Sequence, residues 1–196
     1  MLDVSKDIAG YDYGKVGRAP LSLDDLRRLE ATVGFTDEDR RALAEAGKIL
    51  SDEAEALVNE WREIIGAQDH LARWFFGPNG KPDDSYKAAV KPRFVRWVVD
   101  LCTRPFDQAW LDYQYEIGLR HTPRKKNATD NADTPSVVPL RYVLAFIAPV
   151  IASAKVRLEK GASSQEQADR MLGAWTKAVV LSVTIWALPY TRDGLW

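Results

Sequence analysis

The chain is poor in the residues from which disulfides and most metal sites are built. Its 196 residues include one cysteine and two histidines. A single thiol excludes an intramolecular disulfide and fits a reducing compartment, and the common zinc sites need more cysteine or histidine than this. Because Cys102 lies among Val98, Val99 and Leu101, we expect it to be a buried thiol without a catalytic role.

The sequence also lacks an excess of charge of either sign and a long apolar run. Lys and Arg number 27 against 28 Asp and Glu, so the chain has no overall basic field that would favour nucleic-acid binding. The N-terminus has no apolar stretch of signal-peptide length, and the apolar region at 179–188 is too short to cross a bilayer. We therefore expect a cytoplasmic protein without a nucleic-acid or membrane partner, folded as one domain over residues 1–196.

Apolar residues recur at helical spacing through almost the whole chain, and no segment alternates with the period of a strand. Helix starts are predicted at Ser22 with Asp25, Thr36 with Asp39, Asp69, Asp107 and Ser163 or Ser164. The segment after Thr36 is predicted to break near Ser51 and to end at Gly66. Pro139 is expected in the first turn of a helix that runs to Gly161 with a kink at Pro149. The prediction is an all-α fold.

The most informative stretch runs from Trp110 to His121 and ends a helical pattern on one of the two histidines. Trp110, Gln114, Ile117 and His121 fall at helical spacing on one stripe, which turns the imidazole inward. An inward histidine is often a hydrogen-bonded core residue, but imidazole is also the commonest side-chain ligand of metals and of haem iron. Gly118 removes a side chain where a flat ligand could approach the helix.

Motifs along nearly the whole chain resemble those of the protoglobins, single-domain relatives of globin-coupled sensors. The central motif is Trp110-LDYQYEIGLR-His121 with the loop Arg124-Lys-Lys-Asn127 and Thr129-Asp-Asn131. The other motifs are Gly10-Tyr-Asp-Tyr-Gly14 with Arg18-Ala-Pro20, Lys91-Pro-Arg-Phe-Val-Arg-Trp97, Arg141-Tyr-Val-Leu-Ala-Phe-Ile147 and Trp186-Ala-Leu-Pro-Tyr190. The resemblance implies a globin-like helical fold with an extra N-terminal helix, residues 1–35 forming the N-terminal extension and that helix.

The resemblance also implies a cofactor, haem b (iron protoporphyrin IX), and the residues around it. His121 is expected to be the proximal ligand of the iron, Trp61 and Phe94 to line the distal side, and Phe146 to lie near the haem. The implied function is reversible binding of diatomic gases such as O2, CO or NO at a five-coordinate iron. A homodimer is implied through the last two long helices, where Met171, Trp175, Val179, Ser182 and Trp186 offer core-facing and partner-facing sets.

Two features of this sequence leave the details open. Arg62 follows Trp61 where protoglobins usually have tyrosine, so the distal chemistry is undecided, and we expect Arg62 at the pocket rim rather than over the iron. The basic residues Arg120, Arg124, Lys125 and Lys126 are expected to be a solvated helix end, with a phosphate backbone or a haem propionate as alternative partners.

The sequence does not decide between a gas carrier and other functions. It contains no glycine-rich phosphate loop, nucleophile elbow or paired-histidine motif, so an enzyme that uses side chains alone is hard to build from it. A haem enzyme that acts on NO or on reactive small molecules and a gas sensor that works through a partner are the alternatives, and a haem-free helical interaction module is a further one.

Overall fold

The computed structural model describes residues 8–191, and these residues form nine α-helices. The helices are α1 (Leu23–Val33), α2 (Asp37–Leu50), α3 (Ala54–Gly66), α4 (Asp69–Ala72), α5 (Asp84–Thr103), α6 (Gln108–Leu119), α7 (Leu140–Ala145), α8 (Ile147–Gly161) and α9 (Gln165–Ala187). Short 3₁₀ helices follow α4 at Arg73–Phe75 and α9 at Leu188–Tyr190. Between residues 8 and 191 there is no strand, only an isolated bridge of Phe76 with Pro82. The predicted all-α fold is confirmed, and residues 1–7 of the predicted extension lie outside the described part.

Side-chain caps set five of the nine helix starts within residues 8–191, those of α1, α2, α5, α6 and α9. The Ser22 hydroxyl accepts from the Asp25 N–H at 3.2 Å while the Asp25 carboxylate accepts from the Ser22 N–H at 2.9 Å, which satisfies two free donors of α1. Thr36 and Asp39 repeat this capping box at α2, and Gly34 ends α1 in the left-handed conformation at φ 64°. The predicted starts after Asp107 and Ser164 and the break near Ser51 are confirmed.

Two predicted details of the helices are wrong. Asp69 does not cap α4; it is the first residue of that helix, and Gln68 precedes it without a side-chain hydrogen bond. The helix expected from Pro139 to Gly161 is two helices, α7 and α8, that meet at Phe146. Because Pro149 has no N–H to donate to the carbonyl of residue 145, the helical ladder is interrupted there instead of being only kinked.

Helix α9 is the centre of the core and packs against α2, α6 and α8. Its buried side chains include Met171, Trp175, Val179 and Ile185. By length and composition alone the segment Gln165–Tyr190 could cross a membrane, so the expectation that the apolar region is too short was wrong. The other helices bury 56% of its most apolar stretch. A helix buried in the core of a protein is apolar, so a long one meets the same criterion of length and composition as a membrane-spanning helix.

Gly118 lets α6 and α9 approach each other closely. A Cβ atom at Gly118 would lie 2.8 Å from both the Cα and the carbonyl oxygen of Trp186 and 3.2 Å from Pro189 Cγ. The space beside Gly118 is therefore filled by the backbone of α9, and the expectation that a flat ligand uses it was wrong. A similar contact brings Gly47 of α2 against Cys102 of α5, whose thiol is buried, as expected, with a pKa raised to about 12 by burial.

Candidate functional site

A large cavity opens between the helices and is lined mainly by apolar side chains. Its wall comes from α3, α4 and the 3₁₀ turn after it, α5, α6, the loop 120–138, and α7 to α9. The space between its walls is about 1380 Å³, including the open mouth. An apolar cavity with a few convergent polar groups is the usual form of a cofactor site.

His121 lies in the wall of this cavity with one ring nitrogen already bonded. Its Nδ1 is 2.8 Å from the carbonyl oxygen of Ile117, which can only accept, so Nδ1 carries the proton and Nε2 carries the lone pair. Burial lowers the pKa of His121 below its usual range, and the charge of Lys126 adds to that lowering. A neutral imidazole with its Nδ1 proton donated to a backbone carbonyl has the form in which histidine binds metals.

The backbone and ring of His121 are held from several sides. Helix α6 ends at Leu119, so His121 lies in the turn that follows it, and its N–H donates to Gly118 at 3.0 Å. The His121 carbonyl accepts from the Val138 N–H at 2.9 Å and from the Tyr190 hydroxyl at 3.1 Å. The imidazole stacks on the indole of Trp186 with centroids 5.7 Å apart and planes 15° apart. These contacts fix the direction of the ring.

The other three predicted site residues take two different positions. Phe94 and Phe146 line the same cavity as His121. Trp61 lies one layer behind: it is fully buried, its indole N–H donates to Ser153 Oγ at 2.6 Å, and its ring centroid is 5.1 Å from that of Phe94. The structure therefore brings His121, Phe94 and Phe146 together, and Trp61 supports Phe94 from the far side.

Arg62 lies away from this cavity and lines a smaller, neighbouring one. It is half-buried, and the smaller cavity shares Ile65, Phe75, Val90 and Phe94 with the wall of the larger one. Because successive helical residues point about 100° apart, Trp61 can face inward while Arg62 faces the outer space. Arg62 therefore lies outside the wall of the cavity that contains His121, and its position at a pocket rim stays a prediction.

One end of the cavity wall is polar and carries more positive than negative side chains. Arg93, Arg120 and Lys126 line it together with a single carboxylate, that of Asp130. Arg93 forms two hydrogen bonds to Asp130 at 2.9 and 2.5 Å, and Arg120 pairs with Glu116 at 3.0 Å. The rest of the wall is apolar. Because both arginines are paired with carboxylates, Lys126 is the cation at this end that a ligand with negative groups at one edge matches.

Lys126 is the member of this end whose burial the sequence did not predict. The predicted solvated helix end is correct for the exposed Arg124 but wrong for Lys126, which is 3% exposed. Its Nζ donates to the Trp74 carbonyl at 2.8 Å and to Thr134 Oγ1 at 2.7 Å, with Asn127 Oδ1 more distant at 3.4 Å. All three acceptors are uncharged. Burial lowers the pKa of Lys126 to about 8.

The donor set restricts which metal group the cavity can hold. Among residues 8–191, no three His, Cys, Asp or Glu side chains lie close enough together to bind a metal ion. A single imidazole holds a metal firmly only when the other ligands arrive with the metal, as the four nitrogens of a porphyrin do. The apolar wall, the neutral His121 and the polar end with Lys126 all fit haem, which is flat, apolar and carries two propionates at one edge.

The fold is that of a globin. The chain resembles the solved globin domain of a Geobacter sulfurreducens globin-coupled sensor, with a TM-score of 0.68, over 85% of this chain and 97% of that chain. The sequence identity is 16%, so this likeness shows a shared fold alone. No curated protein matches the sequence significantly.

The sequence profile of the protoglobin family matches residues 22–196, so the chain belongs to the protoglobin family. It is therefore a globin, a member of a class of haem proteins that bind gases. The match begins after the motif at Gly10–Pro20, so the resemblance drawn from that segment rests on the sequence motif alone.

Proposed function

We propose that this protoglobin holds haem b through His121 Nε2 and binds O2, CO or NO reversibly. The observation that carries the proposal is the hydrogen bond from His121 Nδ1 to Ile117, which leaves the other nitrogen with its lone pair on a residue of the cavity wall. The haem would supply the iron that binds the gas. Phe94 and Phe146 would pack against the haem within the cavity and exclude water, and Trp61 would hold Phe94 in place.

An absorption spectrum tests this proposal directly. The purified chain, loaded with haem and reduced, should give the spectrum of a five-coordinate ferrous haem with a histidine ligand, and CO should convert it to a six-coordinate spectrum. A chain that takes up no haem would exclude the proposal. Turnover with NO separates the alternatives, because a haem enzyme consumes NO catalytically whereas a carrier releases it unchanged.

We propose that Lys126 faces the haem propionates. Its buried charge has only neutral acceptors, and the third of these is at 3.4 Å, so one N–H remains for a carboxylate. Replacing Lys126 by methionine should weaken haem binding about tenfold, since a hydrogen bond to a charged group contributes about 1.5 kcal/mol or more. Haem dissociation rates, measured by transfer to an apoglobin acceptor, would give this change.

A matched control and a modified haem separate this effect from a general loss of structure. Lys125→Met should change haem binding little, because the Lys125 side chain is 43% exposed and its charge is paired with Glu116 at 2.7 Å. Haem dimethyl ester has no propionate charges, so wild type and Lys126→Met should bind it equally well. Equal weakening with both haems would mean that Lys126 only supports the loop.

Arg62 is expected to have a small effect on the bound gas. Arg62→Leu should change the O2 dissociation rate by less than roughly tenfold, equivalent to about 1.4 kcal/mol, because the side chain lines the outer cavity. Trp61→Ala should change the rate more, since it removes the ring that supports Phe94. Stopped-flow dissociation rates of the two variants decide the matter. A much larger acceleration in Arg62→Leu would show that the arginine reaches the ligand.

We propose a homodimer formed by α8 and α9, but with other residues than the sequence suggested. Met171, Trp175, Val179, Ser182 and Trp186 are all buried within one chain, so none of them is free to face a partner. The half-buried residues Leu172 and Val180 lie on another face of α9, and Val156 on α8 is 63% exposed. Apolar residues on the outer faces of two long helices that pack side by side are what a four-helix contact between two chains requires.

Light scattering should give about twice the 22.1 kDa mass of the chain. Val156→Glu should shift the protein toward the monomer, because it would place a carboxylate in the proposed interface. Lys48→Glu, at an exposed position of α2, is the control and should leave the mass unchanged. A wild-type monomer at micromolar concentration would exclude the dimer.

We also propose a single domain over residues 1–196 and a cytoplasmic location, the latter because the one cysteine remains a free thiol.

A further inference from the structure

The indole of Trp186 packs directly against the imidazole of His121, the proposed iron ligand. Its indole lies nearly parallel to the imidazole of His121, with centroids 5.7 Å apart and planes 15° apart. The indole N–H donates to Gln114 Oε1 at 2.9 Å, and both residues are buried. The π system of Trp186 therefore lies against the ring that would bind the iron, in a fixed orientation and away from water.

Trp186 is also one end of an array of buried indoles. Its ring centroid is 5.3 Å from that of Trp97, and the Trp97 centroid is 6.1 Å from that of Trp175. The indole N–H groups of Trp97 and Trp175 have no hydrogen-bond partner within the described range 8–191. Indole is among the most easily oxidised side chains, and rings in this kind of contact can exchange electrons. Core packing explains the burial of these residues but predicts no redox chemistry for them.

We propose that Trp186 is redox-active and gives an electron to the haem group when the haem-loaded protein meets hydrogen peroxide, with Trp97 as the second donor. This inference rests on the proposed function, because it needs haem at His121. Overall, the O–O bond of one peroxide molecule breaks and two water molecules form. The two electrons come from Trp186 and Trp97, one from each indole, and the two protons come from solvent, so the haem group returns to its starting oxidation state.

The partner of the indole N–H decides which form of oxidised tryptophan results. Gln114 is a neutral amide and a far weaker base than a carboxylate, so the Nε1 proton stays on Trp186 after the electron leaves. The product is a cation radical whose N–H bond to Gln114 becomes charge-assisted and therefore stronger. A positive charge in an apolar region is unfavourable, so we expect this radical to be short-lived.

Rapid freezing after peroxide addition, followed by electron paramagnetic resonance, tests the proposal. The ferric, haem-loaded wild type should give an organic radical signal that narrows when the protein is made with ring-deuterated tryptophan. Trp186→Phe should weaken that signal, because only Trp97 of the two proposed donors remains. Trp110→Phe is the matched control and should keep it, because Trp110 is also fully buried but lies outside the cavity wall and stacks on Phe106.

The possible outcomes separate this inference from the proposed function. A chain without a haem spectrum fails the proposed function before peroxide is added. A normal haem spectrum with no deuterium-sensitive signal in the wild type overturns the role of Trp186 alone, as does an unchanged signal in Trp186→Phe. If Trp186→Phe fails to hold haem, Trp186→Tyr, which keeps an aromatic ring on His121, decides. Tryptophan deuteration should narrow its signal less than that of the wild type, and an equal narrowing overturns the proposal.

Discussion

His121→Ala is expected to release haem, whereas His70→Ala retains it with an unchanged spectrum. In the proposed site His121 supplies the protein's bond to the iron, and among the described residues the cavity wall has no other histidine and no cysteine or methionine. Loss of a residue that merely orients a metal ligand weakens metal binding by about 10- to 100-fold, so loss of the ligand itself should exceed roughly 100-fold. His70 is exposed on α4 and contacts Tyr142 at 5.3 Å between ring centroids.

The measurement is the rate at which each haem-loaded variant loses haem to an apoglobin acceptor, together with its ferrous spectrum. Adding imidazole to His121→Ala should partly restore the spectrum, because free imidazole can occupy the space that the side chain has left. A normal ferrous spectrum in His121→Ala, combined with haem loss in His70→Ala, would reverse the assignment. Because the chain has two histidines, these two variants test every histidine that could bind the iron.

Gly118→Ala is expected to destabilise the protein by about 3 kcal/mol, the upper end of the usual range for overpacking. The new Cβ would lie 2.8 Å from the Cα and the carbonyl oxygen of Trp186, and backbone atoms cannot move aside as a flexible side chain can. Helices α6 and α9 must then separate, which also displaces the indole that stacks on His121. We therefore expect faster haem loss as well as a lower free energy of unfolding.

Gly173→Ala is the matched control. Gly173 lies inside α9, and a Cβ atom there would meet no neighbour within 4 Å. The gain in helix propensity should therefore appear as a stabilisation of up to about 1 kcal/mol. Urea unfolding of the two variants and the wild type measures both changes. If Gly118→Ala were stabilising too, the close approach of α6 and α9 would not depend on this glycine.

The positions of the helices could be predicted because their signals are local in the sequence. The capping boxes Ser22–Asp25 and Thr36–Asp39 use bonds between residues three apart, so the sequence contains both partners and their spacing. The break between α7 and α8 also has a local cause, the missing N–H of Pro149, but its outcome was not predictable. Whether a proline kinks a helix or divides it depends on what packs around it.

The candidate site was predictable only in part. His121 could be singled out because it was one of two histidines and fell on the inward stripe of a helical pattern. The placing of Phe94 and Phe146 came from the resemblance to protoglobins, and both line the cavity. Trp61 was assigned to the same wall, yet it lies behind Phe94. Periodicity gives the face of a helix that is buried but not the layer of the core that each residue reaches.

By itself, the sequence determined the helical class, several helix starts and which histidine faces inward, because each depends on residue type and on spacing along one helix. The tertiary structure alone decided that Lys126 is buried while Arg124 is exposed, and that α9 fills the space beside Gly118. Both depend on segments that are distant in sequence, such as Trp74 at Lys126 and Trp186 at Gly118. Which residues are buried, and where two helices approach closely, depends on the segments that the fold brings together. The local sequence pattern does not contain that information.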